Sequence, residues 1–404
     1  MTTLAALHGV RVLELGEGVS AAFCAKLFAD YGAEVLKVEK PGCGDVTRHW
    51  GPYPGDLPHL EKSGTYFCLN TSKQGITLDL GTTRGQEIVK ALLADVDVLI
   101  ENNAPARMKA WGLDYATLAA IKPELIMISL TPFGQSGPYA DWKGYDLNAF
   151  HLTGAGSRYC GRMGEAPLEQ GTHAADYFGA YVAATWGMAA VFGVEQSGGE
   201  HIDVSCAEAV AALFVGGQNI GACAQNGYVG KRTGVGMPLA APATILPCKD
   251  GYVWMLALEK GQWRGLVRAM GDPEWARLDL FDDMFERAQN ADLIYSMMDE
   301  WLRAHTKQEI MDLCQQHGCP STAVYDIRDA GDHPHLRERG YLVELEHPVI
   351  GRAVTLGAPV RLPDAPGGPR EAAPLLGQHN ADVFRERLGL GAAEIAALER
   401  AGTI

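Results

Sequence analysis

A lone carboxylate, that of Asp176, stands at the start of a long uncharged segment of the sequence. The eighteen residues that follow it, 177–194, carry no formal charge. A carboxylate in this position can cap the N-terminus of a helix. At the edge of a dry pocket it can instead act as an acid or as a nucleophile. The residues themselves leave both roles open.

Other reactive side chains near Asp176 do not form a recognisable catalytic or metal-binding motif. Cys206 lies in "DVSCAEA", which lacks the glycines of a nucleophile elbow, so we expect a buried structural thiol. His173, His151 and Tyr145 lack the spacing of a metal site. The spacing His173-x-x-Asp176 is common by chance. We therefore predict no metal site.

A glycine-containing turn, residues 16–21 ("GEGVSA"), lies between a predicted strand (10–15) and a predicted helix (21–32). Such a turn directs backbone N–H groups and a helix N-terminus towards an anion, often a phosphate. Glu39 ends the next predicted strand, where a dinucleotide-binding fold has its ribose-binding acid. However, Ala21 replaces the third glycine and Lys40 follows the acid. An NAD-dependent enzyme is therefore the least favoured alternative.

Basic residues follow several predicted strands. Each one alone is typical of solvated surface. Together, at the carboxyl ends of parallel strands, they are suited to hold a phosphorylated ligand. Asn102 and Asn103 offer amide hydrogen bonds at the same edge. The basic residues in question are Lys40, Lys73, Arg84, Arg107 and Lys109.

The order of predicted elements indicates an α/β fold with a parallel sheet. The strand–helix–strand unit at residues 10–40 repeats with strands at 75–80, 96–102 and 125–134. A chain of 404 residues exceeds the usual single core, so we expect more than one domain. These are a large domain (1–220), a small middle domain (225–330) and a C-terminal return to the large one (335–404).

Finer features support this division. Residues 226–242 are glycine-rich and predict a linker, and 243–258 predict a hairpin around Lys249-Asp250-Gly251. Helical segments at 262–318 complete the middle domain. Residues 380–401 predict one terminal helix.

Composition narrows the possible partners and the compartment. The net charge of −15 argues against nucleic acid or an anionic membrane as partner. Nine cysteines without a C-x-x-C pair fit reduced thiols in the cytoplasm. The N-terminus lacks a basic segment followed by an unbroken apolar one, so we expect no signal peptide. Residues 177–194 approach transmembrane length, but their many small residues favour a helix buried on all sides.

Several blocks, in order and over nearly the whole chain, resemble the family III CoA-transferases. They are "VRVLELGEGVSAAFCAKLFADYGAEVLKVEKPGCGDVTR", "LNTSKQGITLDL", "DVLIENNAPARMKAWGLDYATLAAIKPELIMISLTPFGQSGPY", "KGYDL", "HPHLRERGYLVELEHPVIGRAVTLGAPVRL" and "APLLGQHNADVF". This family includes formyl-CoA:oxalate and carnitine CoA-transferases and α-methylacyl-CoA racemases. The resemblance implies a Rossmann-like large domain formed by both termini, a small middle α+β domain and an interlocked dimer.

The resemblance also implies a site. Asp176 would be the nucleophile, passing through aspartyl anhydride and aspartyl-CoA thioester intermediates, with Asp146 as a neighbouring acid. CoA would enter as part of the substrate, with no permanently bound cofactor. Its expected contacts are Gly18, Val19, Ser20, Lys40, Leu78, Asn102 and Lys143. The usual "ENFRPG" reads "ENNAPA" here, so Asn103 replaces the aromatic residue, and Arg84 and Arg107 are candidates to take over a phosphate contact.

The resemblance leaves the reaction subtype and the assembly open. The racemase branch has a His where this chain has Tyr145, a poor base at neutral pH. The transferase branch is therefore favoured.

A non-catalytic partner subunit of a hetero-oligomer remains an alternative to a homodimer. "LEKGQW" has only Gly261 of a glycine-rich lid, which disfavours oxalate as substrate. Trp254, Met255 and Trp263 favour an apolar acid pocket over a site for a small dicarboxylate.

Overall fold

A computed structural model describes residues 5–234 and 236–404 of the chain. The first four residues, part of the stretch considered for a signal peptide, lie outside the described residues. So does Val235, within the predicted linker. The described residues form two compact units. Within the described residues, the first unit falls in Met1–Tyr159, Glu169–Gly230 and His335–Ile404, and the second falls in Cys160–Leu168 and Lys231–Pro334.

A parallel sheet forms the centre of the first unit. Among the described residues its strand order is β3-β2-β1-β4-β5-β6, and each neighbouring pair is parallel. This confirms the predicted parallel α/β fold. A hairpin of β10 and β11 belongs to the same unit. The strands are β1 (Arg11–Glu14), β2 (Glu34–Glu39), β3 (Lys73–Thr77), β4 (Val98–Glu101), β5 (Ile126–Thr131), β6 (Glu200–Ser205), β10 (Leu342–His347) and β11 (Gly351–Leu356).

Helices cover both faces of this sheet. Successive strand residues point to opposite faces: Val12 packs in one apolar cluster with Phe28, and Leu13 packs in another with Ile88. The helices are α1 (Ser20–Asp30), α2 (Gly64–Leu69), α3 (Thr83–Leu92), α4 (Pro105–Trp111), α5 (Tyr115–Ala119), α6 (Asp146–Leu152), α7 (Ala155–Tyr159), α8 (Ala174–Ser197), α9 (Cys206–Val210), α10 (Ala222–Asn226), α16 (Pro334–Glu338), α17 (Asn380–Leu388) and α18 (Ala392–Arg400). A π-helical segment, Ala211–Gly221, joins α9 to α10.

The predicted single terminal helix is wrong. Residues 380–401 form α17 and α18, and Gly389 ends α17 in a left-handed conformation with φ of 68°. Glycine reaches this conformation without the strain that a side chain would cause, and it therefore often ends helices.

The second unit has its own core. The predicted hairpin is confirmed: β7 (Ala243–Cys248) and β8 (Gly251–Leu256) are antiparallel, and β9 (Ser321–Ala323) pairs with β8. The described residues of 227–242 contain no helix or strand, as expected of a linker. The helices are α11 (Lys260–Ala269), α12 (Met284–Gln289), α13 (Ala291–Ala304), α14 (Lys307–Gln316) and α15 (Ile327–Gly331).

An apolar acid-binding pocket was predicted from Trp254, Met255 and Trp263, but two of these three residues do not line a pocket. Met255 and Trp263 are fully buried in the core of the second unit, where Trp263 contacts Phe281 edge to face. Their apolar character stabilises this unit and does not line an open pocket.

Helix α8 packs on the sheet with one face only. By length and composition it is the one helix among the described residues that could cross a membrane. Small residues on its inner face, including Ala180, Ala183 and Gly187, are buried against α1 and β5. Trp186 and Phe192 on the other face are 63% and 88% exposed. The expectation of burial on all sides is therefore wrong for the single chain, because α8 covers the sheet near its edge strand β6.

Candidate active site

The turn after β1 lies where the strand order of the sheet reverses. From β1 the chain continues to β2 on one side of β1, and it later returns to form β4 on the other side of β1. In open parallel sheets, ligand-binding crevices form at such a reversal. Gly18 has φ of 77°, a conformation that favours glycine, and its N–H donates to Oδ1 of Asp45 at 3.2 Å. Val19, the N-cap residue of α1, and Ser20, its first residue, are both buried.

Asn102 holds this turn from the end of β4. Its Oδ1 accepts the N–H of Glu17 at 3.0 Å, and its Nδ2 donates to the carbonyl of Glu17 at 2.6 Å and to Oγ of Ser20 at 3.0 Å. Asn103 donates from Nδ2 to the carbonyl of Leu15 at 3.2 Å. Both amides, predicted to serve a ligand, thus have partners within the protein that fix the shape of the turn.

A buried ion network lies beneath the turn. Lys37 Nζ contacts Glu14 at 2.6 Å and Asp45 at 2.8 Å, and it donates to the carbonyl of Gly16 at 3.2 Å. Lys73 joins it through Glu14 at 2.8 Å, and burial lowers the pKa of Lys73 to about 8. The prediction that Lys73 faces a ligand is wrong, because it begins its strand and its side chain is buried in this network.

Glu39 is also committed to the protein interior. Its carboxylate accepts two hydrogen bonds from Arg48, at 2.7 and 2.8 Å, and one from the hydroxyl of Tyr66 at 2.9 Å. A ribose-binding acid must be open to the ligand. The NAD-dependent alternative thus lacks its defining residue.

The predicted cationic contacts lie on the protein surface. Lys40, Arg107 and Lys143 are exposed. Burial and the charge of Asp45 raise the pKa of Glu17, whereas Lys37, Arg107 and Lys40 act to lower it. Arg107 and Lys40 are therefore close enough to influence the turn electrostatically. Leu78 lies at the same strand ends, but its side chain is buried in the core and its N–H donates to the carbonyl of Glu39.

Asp176 lies in the first turn of α8 and does not cap it. The N-cap residue is His173, whose side chain makes no capping hydrogen bond among the described contacts. Oδ1 of Asp146, in the first turn of α6, instead accepts the N–H of Asp176 at 3.0 Å. Burial and the neighbouring charge of Asp146 raise the pKa of the Asp176 carboxyl to about 7. The structure thus rules out the cap role for Asp176.

His173 completes a cluster with these two acids. A ring nitrogen of His173 and one carboxylate oxygen each of Asp146 and Asp176 all lie within 4.8 Å of one another. The His173 ring stacks on Trp50, with ring centroids 5.1 Å apart and planes 8° apart. Sequence reasoning set His173 aside as a chance spacing. The available signal was that His173 and Asp176, three residues apart, share one face of a helix.

The remaining reactive residues have other surroundings. Cys206 is buried at the start of α9, where Gly179 of α8 approaches it so closely that a Cβ on this glycine would lie 2.6 Å from Sγ. Burial, followed by the charges of Asp176 and Asp146, raises the pKa of its thiol. This confirms a structural thiol. Tyr145 is exposed at the N-cap of α6, and His151 lies in its last turn.

Two curated proteins and one solved structure are similar to this chain over nearly its whole length. A succinyl-CoA–D-citramalate CoA-transferase of Chloroflexus aurantiacus is 33% identical over 397 residues, 97% of this chain and 96% of that protein. The β subunit of a succinyl-CoA–L-malate CoA-transferase of the same organism is 31% identical over 394 residues, 96% of each chain. A CAIB/BAIF family protein from Brucella suis superposes with a TM-score of 0.83 at 28% identity, covering 95% of this chain and 100% of that one.

The family-level comparison covers almost the full sequence. The model of CoA-transferase family III matches residues 7–380, from before β1 to the start of α17. This range includes the turn after β1, both acids and His173. The chain therefore belongs to CoA-transferase family III.

Proposed function

We propose that this protein transfers CoA from an acyl-CoA to a carboxylic acid, with Asp176 as the nucleophile. The observation that carries the proposal is the carboxyl group of Asp176, whose pKa of about 7 leaves a substantial ionised fraction at neutral pH. A carboxylate of raised pKa is more basic than an ordinary one, and its partly buried position limits access of water. It adjoins a second acid, Asp146, which holds the main chain of Asp176 in place.

The reaction proceeds in two symmetrical halves. The Asp176 carboxylate attacks the thioester carbonyl, the C–S bond breaks, and CoA leaves as a thiolate from a mixed anhydride. The thiolate then attacks the Asp176 carbonyl, which releases the donor acid and forms an aspartyl-CoA thioester. The acceptor carboxylate attacks that thioester and expels the thiolate. The thiolate finally attacks the acceptor carbonyl and frees Asp176. Each step exchanges activated acyl bonds of similar energy.

The turn after β1 is the proposed binding site of the CoA moiety. Gly18, Val19 and Ser20 would contact it with backbone atoms, and Asn102 and Asn103 would act by holding that turn. The exposed cations Lys40, Arg107 and Lys143 are available for the phosphates. Leu78 would contribute through its main chain, since its side chain is buried. CoA enters and leaves with the substrates, and we propose no resident cofactor.

A dicarboxylate is the proposed acceptor. Citramalate and malate, named for two similar proteins, are both hydroxylated dicarboxylates. The case for an apolar acid pocket is weakened by the burial of Met255 and Trp263 in the core of the second unit. We therefore replace the expectation of an apolar acid with that of a short dicarboxylic acid.

Two chains are proposed to form the active enzyme, as an interlocked dimer. The exposed apolar face of α8 supports this, together with a cavity of about 570 Å³ beside it that Trp186, Ala189 and Ile202 help to line. Similar proteins include the α and β subunits of one transferase, so a homodimer and a pair of similar chains are both compatible. A non-catalytic subunit would have no use for the Asp146–Asp176 pair. Nine free cysteines among the described residues favour the cytoplasm.

Mass spectrometry of the intact protein tests the function. The protein is mixed with acetyl-CoA, succinyl-CoA and longer acyl-CoAs, with and without hydroxylamine or borohydride, beside Asp176→Asn as an isosteric control. A CoA-sized adduct or a trapped modification at Asp176, absent from the variant, supports the mechanism. A protein that binds CoA but forms no adduct with any donor would identify a non-catalytic subunit.

A further inference from the structure

His173 occupies a position that the proposed reaction does not use. The reaction requires one carboxylate of the acceptor to approach Asp176. If the acceptor is a dicarboxylate, its second carboxylate must remain charged in a site that already contains Asp146 and Asp176. An unpaired anion there is repelled by these acids and loses part of its hydration. An N–H donor near the two acids removes both penalties.

The imidazole of His173 meets this requirement. Its ring nitrogen lies within 4.8 Å of carboxylate oxygens of both acids, and the side chain is exposed, so a substrate can reach it. Neutral histidine has one N–H group and protonated histidine has two. Both forms can therefore donate to a carboxylate.

Trp50 fixes the plane of this donor. The two rings are stacked almost in parallel. Trp50 itself is anchored through its main chain, since its N–H donates to the carbonyl of Thr47 and its carbonyl accepts from Oγ of Ser63. A ring held in one plane loses little conformational entropy when a ligand binds, which strengthens recognition.

We propose that His173 binds the non-reacting carboxylate of the acceptor and thereby selects dicarboxylic acids over monocarboxylic acids. This rests on the proposed function, because it takes Asp176 to be the reacting centre. His173 is then a specificity-determining residue, one helical turn before the nucleophile. Trp50 is a positioning residue that acts through it.

Two acceptors of equal length, succinate and butyrate, test the proposal. In a ping-pong reaction kcat/KM for the acceptor depends only on the second half-reaction. The ratio of the two kcat/KM values does not depend on the fraction of active enzyme. His173→Phe keeps an aromatic ring for stacking on Trp50 but has no N–H, whereas His173→Asn keeps an N–H donor.

We expect wild-type enzyme to prefer succinate and His173→Phe to reduce that preference by about tenfold to a hundredfold, the factor of a hydrogen bond to a charged group. His173→Asn should retain more of the preference than His173→Phe. A wild-type ratio near one, or a ratio unchanged in His173→Phe, would overturn the inference. If His173→Phe is insoluble, His173→Leu takes its place. A preference for succinate that is no greater in His173→Asn than in His173→Leu would also overturn the inference. The absence of an Asp176 adduct in wild-type protein would instead overturn the proposed function.

Discussion

The main-chain N–H of Asp176 donates a hydrogen bond to Oδ1 of Asp146, 30 residues earlier in the sequence. The N-cap residue of α8 makes no capping hydrogen bond with its side chain, and Asp146 supplies such a bond instead. Asp146 also places a negative charge beside the Asp176 carboxyl. One side chain thus holds the proposed nucleophile in position and adds to the rise in its pKa that burial causes.

The rate of the first half-reaction should depend on this charge. Attack requires ionised Asp176, so kcat/KM for acyl-CoA should rise with pH about a midpoint near 7 in the wild type. Asp146→Asn retains a hydrogen-bond acceptor but removes the charge, so the midpoint should move to lower pH. Measuring release of the donor acid at limiting acyl-CoA concentration from pH 5 to 9 checks this. An equal or higher midpoint in the variant would contradict it.

Asp176→Asn should stabilise the protein at the expense of activity. The pKa of Asp176 is raised from 3.8 to about 7 on folding, so the folded state holds the proton more tightly than the unfolded state. Ionisation of this group therefore lowers the free energy of unfolding of the wild type as pH rises from about 4 to about 7. Relative to wild type, the variant should gain of the order of 2 kcal/mol between pH 5 and pH 8. Urea unfolding at both pH values measures it; a gain independent of pH would argue against a raised pKa.

Close contact between α8 and α9 should make Gly179 intolerant of substitution. A Cβ at this position would lie 2.6 Å from Sγ of Cys206, so Gly179→Ala should destabilise the fold by about 1–3 kcal/mol. Cys206→Ala in the same chain should recover part of the loss. Gly193→Ala is the matched control on the same helix, because its nearest neighbour is 3.8 Å away. Thermal unfolding of the wild type, Gly179→Ala, Cys206→Ala and the double variant, with Gly193→Ala beside them, measures the coupling, and independent effects of the two substitutions would contradict the contact.

Phosphate binding by surface cations can be separated from binding of the rest of CoA. Lys40→Ala and Arg107→Ala should each raise KM for acyl-CoA by about threefold to thirtyfold, as expected for an exposed charge-assisted contact. Neither should change KM for the matching acyl-pantetheine, which has no phosphate. Lys122→Ala is the control, since Lys122 lies just before β5, at the edge of the parallel sheet opposite the turn. Equal effects on both thioesters would assign these residues a structural role.

The exposed face of α8 should be covered in the assembled enzyme. Trp186→Glu and Phe192→Glu place a charge on that face, and light scattering should then detect monomers where the wild type is dimeric. Ile327→Glu is a suitable control, because Ile327 is 90% exposed in the second unit. Dimers that persist in both α8 variants would place the interface elsewhere.

Sequence reasoning predicted the sheet well because its strands are short apolar runs separated by turns of recognisable composition. The hairpin at Lys249-Asp250 was predictable for the same reason. The residues that were predicted wrongly belong to amino-acid types that commonly serve either of two structural roles. Lys73 was taken for a surface cation, but Glu14 holds it in the interior. The Asp146–Asp176 hydrogen bond joins distant segments and has no local signal. His173 was missed because its partner Trp50 lies in a loop more than a hundred residues away.

The ion network under the turn also limits how this sequence can change over evolutionary time. Lys37 contacts Glu14 and Asp45 at once and Lys73 contacts Glu14, so replacement of either acid leaves two buried lysines with one carboxylate. These positions can be exchanged only in concert, and each intermediate step carries a penalty. The exposed residues above them face no such barrier. Substrate range can therefore diversify at the surface of the site while its foundation persists unaltered from one descendant to the next.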